Sequence, residues 1–455
     1  MNKELVAIKI LHNSNNRIVF NLYAELFRLM GIYVCEGRIS EYSIDEARLD
    51  AQEYQLFLGI CDGNIPDFSK YTEVNNQFVW INSRDDVYSG KTLNNLTVNF
   101  DEPSALRNEM KNVISYLHAK NQFVELNILG KYVLDTYLEK NVLKAACLLQ
   151  FYRLKTDVNE EAEKIFKDAY KAYNKLSVTE NDSIAIKHLS YAKLYCSQKA
   201  NLAIFYQTQD KSIACDVDEL SKECEDLIIC YPKFSNLYVL LGMICENYEH
   251  TKIKAMNAYR AAINMIGEKS YASHVYYWLG VLCEKYSKNL PVAEEFYQDA
   301  MRLQSKYRNI YKVSNMLFQR GELDAALREF EECVNNIEKQ KINTLDPLEI
   351  EYYYKTCALI CMICTRETGD YNNAIKYGEK ARELYNSHLE NDYKGFFKYY
   401  FGNEEKRYRD VSKGRIDIGK LKNALYIAYV QLEMMEEANS LKTWGTFKGA
   451  VALSD

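Results

Sequence analysis

Proline and glycine are scarce in this sequence. Of its 455 residues, only 5 are proline and 18 are glycine. Both residues interrupt regular structure, so their scarcity argues against proline-rich linkers and favours long helices over many short strands. Hydrophobic residues make up 48% of the chain, which disfavours long disordered tracts and allows two or three domains with cores of their own.

Long apolar runs and long runs of one charge sign are also lacking. No window approaches the roughly 18 apolar residues that are needed to cross a bilayer. The apolar run at the N-terminus is shorter than that of a signal peptide. The sequence therefore predicts a soluble, cytoplasmic protein without membrane contact. Its 57 basic and 63 acidic residues give a formal net charge of -6, without the concentrated basic face that nucleic acid binding requires.

The cysteines do not suggest a disulfide framework or a metal site. There are 13 of them, an odd number, scattered mostly through apolar helical patterns that are typical of reduced, buried thiols. Cys357, Cys361 and Cys364 share one helical face, but a structural zinc ion needs a fourth ligand. We interpret them as small core residues, and we predict neither a metal nor a cofactor.

The first 122 residues alternate between strand and helix patterns. Short apolar runs at 5–11, 32–35, 56–61, 78–81 and 96–100 predict strands, and a helix predicted over 17–30 is ended by Gly31. This alternation predicts a small, mostly parallel sheet with helices on its faces. Ligands of such sheets bind beyond the carboxyl ends of the strands.

Polar residues follow two of these predicted strands. They are His12, Asn13, Ser14 and Asp62. The first loop contains no glycine, so it is neither a dinucleotide-binding fingerprint nor a phosphate-binding loop, although its side chains could hydrogen-bond a ribose or phosphate. The alternative is an ordinary polar loop that caps the next helix.

Helical hairpins are predicted from about residue 125 onward. In the segment 369–381, two small residues seven positions apart lie on either side of an aromatic residue. This pattern is typical of the second helix of a hairpin that packs closely on its neighbours. The same pattern recurs upstream at a spacing of 38 residues. The corresponding positions are Tyr238, Gly242, Ala255, Tyr259 and Ala262, then Tyr276, Gly280, Ala293, Tyr297 and Ala300, and a third unit has Ser314, Gly321, Ala326 and Phe330.

These units resemble the tetratricopeptide repeat (TPR) family over about 300 residues. The resemblance implies that residues 123–455 form a TPR-like α-superhelix, or solenoid, with an atypical C-terminal cap. Extra residues before Ala255 and Ala293 depart from the family's period of about 34 residues. The fold class is therefore multidomain, an α/β sheet domain (1–122) followed by an all-α helical repeat array.

The resemblance also implies a peptide-binding groove lined by the first helix of each hairpin. Eight residues are predicted to face it: Asn236, His274, Tyr277, Glu284, Arg308, Tyr311, Asn315 and Phe318. Aromatic and arginine side chains bury large areas at modest entropic cost, although several of them could instead pack between repeats. One TPR subgroup holds terminal carboxylates with lysine and asparagine. Only Asn315 matches that pattern, so we expect a helical or extended apolar ligand.

The order of strands and helices in 1–122 resembles a Toll/interleukin-1 receptor (TIR) domain, although a receiver-like or other flavodoxin-like sheet fits as well. TIR domains with enzymatic activity cleave NAD with a glutamate that follows a tryptophan. The corresponding segment, 65–76, offers only Glu73 and no tryptophan, which disfavours catalysis.

The sequence therefore predicts a non-enzymatic scaffold. Its groove binds a protein or peptide partner, or a second copy of the chain, and positions the N-terminal domain. The alternative is a TIR-like NAD-cleaving or nucleotide-sensing effector of the bacterial immune type, which the helical array regulates or oligomerises.

Overall fold

The structure is a computed structural model. It describes residues 7–12, 17–39, 54, 56–61, 78–82, 95–97, 157–173, 183–208, 217–338, 347–389 and 418–444. The chain divides into two compact units, Met1–Asn289 and Leu290–Asp455. The domain boundary predicted at residues 122/123 lies outside the described residues.

The first unit begins with a five-stranded parallel sheet. Its strands are β1 (Ala7–His12), β2 (Tyr33–Arg38), β3 (Leu56–Cys61), β4 (Phe78–Asn82) and β5 (Asn95–Thr97). They pair in the order β2-β1-β3-β4-β5, and all four pairings are parallel. The predicted small parallel sheet is therefore confirmed, and each of the five apolar runs contributes a strand.

Helix α1 (Arg17–Leu29) connects β1 to β2 and buries Tyr23, Ala24 and Phe27 completely. It ends as the sequence predicts. Gly31 adopts φ +75°, and the amides of Gly31 and Ile32 donate to the carbonyls of Arg28 and Phe27, respectively. These hydrogen bonds satisfy the last carbonyls of the helix and turn the chain into β2.

The first unit continues with six helices, all within residues 157–282. They are α2 (Asp157–Tyr173), α3 (Ser183–Thr208), α4 (Val217–Cys230), α5 (Ser235–Cys245), α6 (Lys252–Ile263) and α7 (Lys269–Leu282). Helices α2 and α3 pack together, as do α5 and α6. A short 3-10 turn, Glu249–Thr251, accommodates the extra residues that precede Ala255.

The second unit contains seven described helices. They are α8 (Leu290–Leu303), α9 (Tyr307–Gln319), α10 (Leu323–Glu338), α11 (Pro347–Ile363), α12 (Tyr371–Leu384), α13 (Gly419–Gln431) and α14 (Met435–Ser440). Consecutive pairs from α9 to α14 pack as three hairpins. The predicted helical repeat array is thus confirmed. The predicted unit from Tyr276 to Ala300 has one helix in each compact unit, and the π-helical turn Cys283–Ser287 accommodates its extra residues.

Left-handed backbone conformations mark the turns of these three hairpins. Gly321, Gly369 and Glu433 have φ of +80°, +71° and +58°, and each lies five residues before a buried alanine of the second helix. After Gly369, the Asp370 side chain caps α12 by accepting from the Asn373 amide at 3.1 Å. A shared turn geometry therefore accompanies the shared spacing of small residues.

Small residues also permit close helix packing. A Cβ built on Gly378 of α12 would lie 2.4 Å from Leu425 Cδ2 of α13 and 2.9 Å from Cys361 Sγ of α11. Gly242 of α5 is equally crowded by the ring of Tyr259 on α6, at 2.4 Å. No Cβ fits at such distances, which explains glycine at both positions.

The cysteines of α11 and its C-terminal turn lie in the core of the second unit. Cys357, Cys361 and Cys364 are buried among apolar side chains, as interpreted from the sequence. Burial raises the pKa of the Cys361 thiol to about 12 and that of Cys364 to about 11. Within the described ranges, no three His, Cys, Asp or Glu side chains are grouped to hold a metal ion. In the same residues, no helix combines the length and apolar character needed to cross a membrane.

Candidate partner-binding faces of the helical array

The carboxyl edge of the sheet is the first candidate site. Strand β1 lies between β2 and β3, so its last residue, His12, pairs with Arg38 on one side and Ile60 on the other. At this point the connections between strands run in opposite directions along the sheet. Open α/β sheets bind their ligands at such points. Asn13, Ser14 and Asp62, the other predicted loop residues, lie outside the described residues.

The His12 ring is fully buried and makes contacts within the sheet domain. Its Nε2 lies 2.6 Å from Glu36 Oε1, and its ring stacks on Phe20 at 4.5 Å between centroids. Glu36 is partly exposed. A ligand at this edge would therefore meet the Glu36 carboxylate before it met the imidazole.

A second feature, which the sequence did not reveal, is the contact between the sheet and the helices of the first unit. Tyr33 of β2 stacks on Tyr271 of α7, with ring centroids 4.2 Å apart and 15° between the rings. The Tyr33 hydroxyl donates to the Ser270 carbonyl at 3.1 Å and lies 3.1 Å from its Oγ. Tyr271 in turn donates to the side-chain oxygen of Asn236 on α5.

A buried carboxylate joins α1 to α3 beside this stack. Glu25 is fully buried, accepts from the Tyr195 hydroxyl at 2.7 Å and lies 3.6 Å from Arg28 Nη1. Burial, followed by the negative charge of Glu25, raises the pKa of Tyr195 well above its ordinary value. The hydroxyl therefore stays protonated and continues to donate to the carboxylate.

The sheet domain and the helices also approach each other closely at Gly31. We call the whole contact the sheet–array junction (Glu25, Gly31, Tyr33, Tyr195 and Tyr271). A Cβ on Gly31 would lie 2.9 Å from Phe234 and 3.2 Å from Tyr191. Gly31 thus has two roles, because it ends α1 in a left-handed conformation and lets the helices reach the sheet.

Two of the four predicted groove residues of the first unit, Asn236 and His274, lie at this junction. Asn236 is buried and accepts the Tyr271 hydrogen bond. His274 is half-buried, accepts from Trp278 Nε1 at 3.1 Å and has its ring 6.2 Å from that of Tyr33. Tyr277 is 9% exposed and meets Trp278 edge-on, and Glu284 is half-buried in the turn after α7. The part of the predicted groove that contains Asn236 and His274 therefore borders the chain's own sheet.

The predicted groove residues of the second unit all lie on α9. Arg308, Tyr311, Asn315 and Phe318 are spaced by three, four and three residues, which places them on one helical face, and all four are half-buried. The Tyr311 ring lies 5.9 Å from Phe330 of α10 and 5.7 Å from Tyr352 of α11. Lys355 Nζ lies 5.1 Å from the Tyr352 ring centroid. We call these six residues (Arg308, Tyr311, Asn315, Phe318, Tyr352 and Lys355) the α9–α11 face.

Residues that hold α9 in place were also missed by sequence reasoning. The buried Asn309 amide donates to the carbonyls of Ala300 and Gln304, and Arg320 Nη1 lies 2.6 Å from Glu294 Oε2. Both interactions connect α8 with α9. The sequence did offer one signal of these contacts, a polar residue such as Asn309 in an otherwise apolar helical stripe.

Comparison with known proteins gives similarity only at the level of remote folds. No protein-family model matches the sequence, and no curated protein matches it. Among solved structures, yeast Tom70 is similar at 15% identity and a TM-score of 0.40, over 77% of this chain and 71% of Tom70. BtubC from P. vanneervenii matches at 12% identity and a TM-score of 0.40, over 51% of this chain and 92% of its own.

A third similar structure combines several domains. It is a signal transduction ATPase with a tetratricopeptide repeat sensor from Pyrococcus horikoshii, matched at 12% identity and a TM-score of 0.23, over 97% of this chain and 84% of that one. Scores this low leave the fold to be judged from the helices and turns themselves. The hairpins of α5–α6 and α9–α14 are the evidence for a helical repeat array.

Proposed function

We propose that this protein is a non-enzymatic scaffold whose helical array binds a protein partner and holds the N-terminal α/β domain in a fixed position. The sheet–array junction supports the second half of this proposal. Three contacts join β2 and α1 to the helices of the array. They are the ring stack with α7, the hydrogen bond from α3 to the buried carboxylate of α1, and the close approach at the glycine between α1 and β2. Such a contact keeps the sheet from moving independently of α3 and α7.

The α9–α11 face carries the partner-binding half. Its four residues on α9 are half-buried, and they combine an arginine and two aromatic rings with an amide. Residues of this kind dominate binding energy in protein interfaces because they bury large areas while losing few rotamers. A peptide helix or an extended segment that lies along α9 would cover all four side chains.

Affinity capture followed by mass spectrometry tests the scaffold. The unaltered chain, a Tyr311→Ala/Phe318→Ala double variant and a Met435→Ala control are each used as bait in extracts of the native host. Met435 is a suitable control because it is 51% exposed on α14, a second helix of the same unit. We expect a protein that the unaltered chain and the control retain and the double variant loses. Equal retention by all three baits, or retention by none, would contradict the proposal.

A TIR-like or nucleotide-sensing activity is a second candidate, favoured by the strand order. The order β2-β1-β3-β4-β5 with parallel pairing supports this candidate, because His12 ends the strand beside which ligands of open α/β sheets bind. Incubation with NAD and common nucleotides, followed by chromatography and a thermal-shift measurement, tests it. Turnover or stabilisation by a nucleotide would favour this candidate. Absence of both would leave the sheet as an interaction domain.

A further inference from the structure

The charges of the second unit are unevenly distributed around α9. This helix contains Arg308 and Lys312 but neither Asp nor Glu. The helices packed on either side of it are acidic, since α8 contains Glu294, Glu295 and Asp299, and α10 contains Asp324, Glu329, Glu331, Glu332 and Glu338. Positive charge is therefore concentrated on α9, although the whole chain has a net charge of -6.

The neighbouring first helix continues this pattern. The two acidic residues of α11 lie within its first five residues, and Lys355 is the only charged residue from there to its end. Lys355 lies over Tyr352, whose ring contacts Tyr311. Arg308 precedes Tyr311 by three residues on α9, and Lys355 follows Tyr352 by three residues on α11, so each ring of the pair has a cation one helical turn away on its own helix.

This arrangement is chemically selective for anions that are attached to apolar groups. Partial burial lowers the local dielectric constant, so a carboxylate there gains more from a nearby guanidinium or ammonium group than it would in water. The rings of Tyr311, Tyr352 and Phe318 offer apolar area beside these charges.

We propose that the α9–α11 face binds an acidic segment of another protein, in which Asp or Glu residues alternate with apolar ones. This inference deepens the scaffold function and rests on it. The carboxylates of the segment pair with Arg308 and Lys355, its apolar side chains cover Tyr311 and Phe318, and the Asn315 amide is placed to bind the backbone of the segment.

Fluorescence anisotropy with labelled peptides tests the inference on the full chain. The probe is a synthetic peptide in which Glu alternates with Leu, and its counterpart replaces every Glu by Lys. We expect the acidic peptide to bind and the basic one not to bind. An Arg308→Gln/Lys355→Gln variant should bind the acidic peptide at least about tenfold more weakly. Binding should also weaken as the salt concentration rises from about 0.05 M to about 0.5 M.

An Arg328→Gln variant is the matched control, because Arg328 is an exposed cation on α10, the second helix of the same hairpin. It should bind the acidic peptide like the unaltered chain. Thermal unfolding of all variants establishes that they are folded, and Arg308→Lys provides a milder substitution if the double variant is not. Equal binding of both peptides, or unchanged binding by the folded charge variant, would overturn the inference.

Three further outcomes would also overturn it. Tighter binding of single-stranded RNA than of the acidic peptide at this face would assign it to nucleic acid. A dimer in analytical ultracentrifugation that the charge variant abolishes would assign the face to a second copy of the chain. A captured partner that Tyr311→Ala/Phe318→Ala loses and Arg308→Gln/Lys355→Gln retains would leave the scaffold function standing while this inference fails.

Discussion

Tyr33 of the sheet stacks on Tyr271 of α7, with their ring centroids 4.2 Å apart. Strand β2 and helix α7 are far apart in sequence, so this contact forms only when the sheet and the helices fold onto each other. Together with the hydrogen bond from Tyr195 to Glu25, it connects the sheet domain to helices α3 and α7.

A double-mutant cycle measures this relationship. Tyr33→Leu and Tyr271→Leu should each lower the free energy of unfolding, and the double variant should lose less than their sum. We expect a coupling energy of about 1 kcal/mol, the usual size for a stacked aromatic pair. Urea denaturation of the four proteins gives the value. Additive losses would show that the two rings do not interact in solution.

Gly242→Ala should destabilise the first unit. The added Cβ would lie 2.4 Å from the ring of Tyr259, which is buried and held by a 2.6 Å hydrogen bond to Glu246. Because this ring has no room to move, we expect a loss of about 1 to 3 kcal/mol in the free energy of unfolding. Gly267→Ala is the control, since a Cβ there meets no described atom within 4 Å. A Gly242→Ala variant as stable as Gly267→Ala would refute the close packing of α5 on α6.

Glu433→Gly should stabilise the second unit. Glu433 has φ +58°, and a left-handed conformation costs a residue with a side chain about 1 to 2 kcal/mol. Glycine relieves this strain but loses more backbone entropy on folding, so we expect a net gain of about 0.5 to 1 kcal/mol. Thermal unfolding measures it.

The reverse substitution at an equivalent turn provides the control. Gly369 has φ +71°, and a Cβ there meets no described atom within 4 Å. Gly369→Ala should therefore destabilise the protein through backbone strain alone. Opposite signs for the two substitutions are expected, and the same sign would contradict a shared turn geometry.

The buried thiols should make the protein sensitive to alkaline pH. Burial raises the pKa of Cys333 and Cys361 to about 12, above the value of the same thiols in the unfolded chain. Their contribution to stability is complete below the unfolded pKa and declines as pH rises from about 9 towards 12. The free energy of unfolding in urea should therefore fall between about pH 8.5 and pH 10.5. A Cys333→Ala/Cys361→Ala variant should show a shallower decline, and an identical slope would contradict this explanation.

The sequence predicted most of the fold because its signals are local. Strands at 56–61 and 78–82 follow from short apolar runs, and the end of α1 follows from Gly31. The hairpins follow from alanines at fixed spacing, such as Ala374 and Ala381. The turn at Glu433 was not foreseeable, since glutamate gives no sign of a left-handed conformation.

The sheet–array junction could not be predicted from the sequence because it depends on contacts between distant segments. Tyr33 reads as an ordinary strand residue and Tyr271 as an ordinary helix residue. Glu25 within the apolar pattern of α1 was the one local indication of a buried polar contact. Four of the predicted groove residues did prove to share one face of α9, because helical periodicity alone decides that arrangement.

Site-specific photo-crosslinking tests most directly whether the α9–α11 face binds the partner. A photoreactive phenylalanine is placed at position 315 in one protein and at position 435 in another, and each is irradiated with the captured partner. Position 315 lies on the face, whereas position 435 is an exposed site on the second helix α14. We predict a crosslinked product from position 315 and none from position 435. A product from position 435 without one from position 315 would contradict the account.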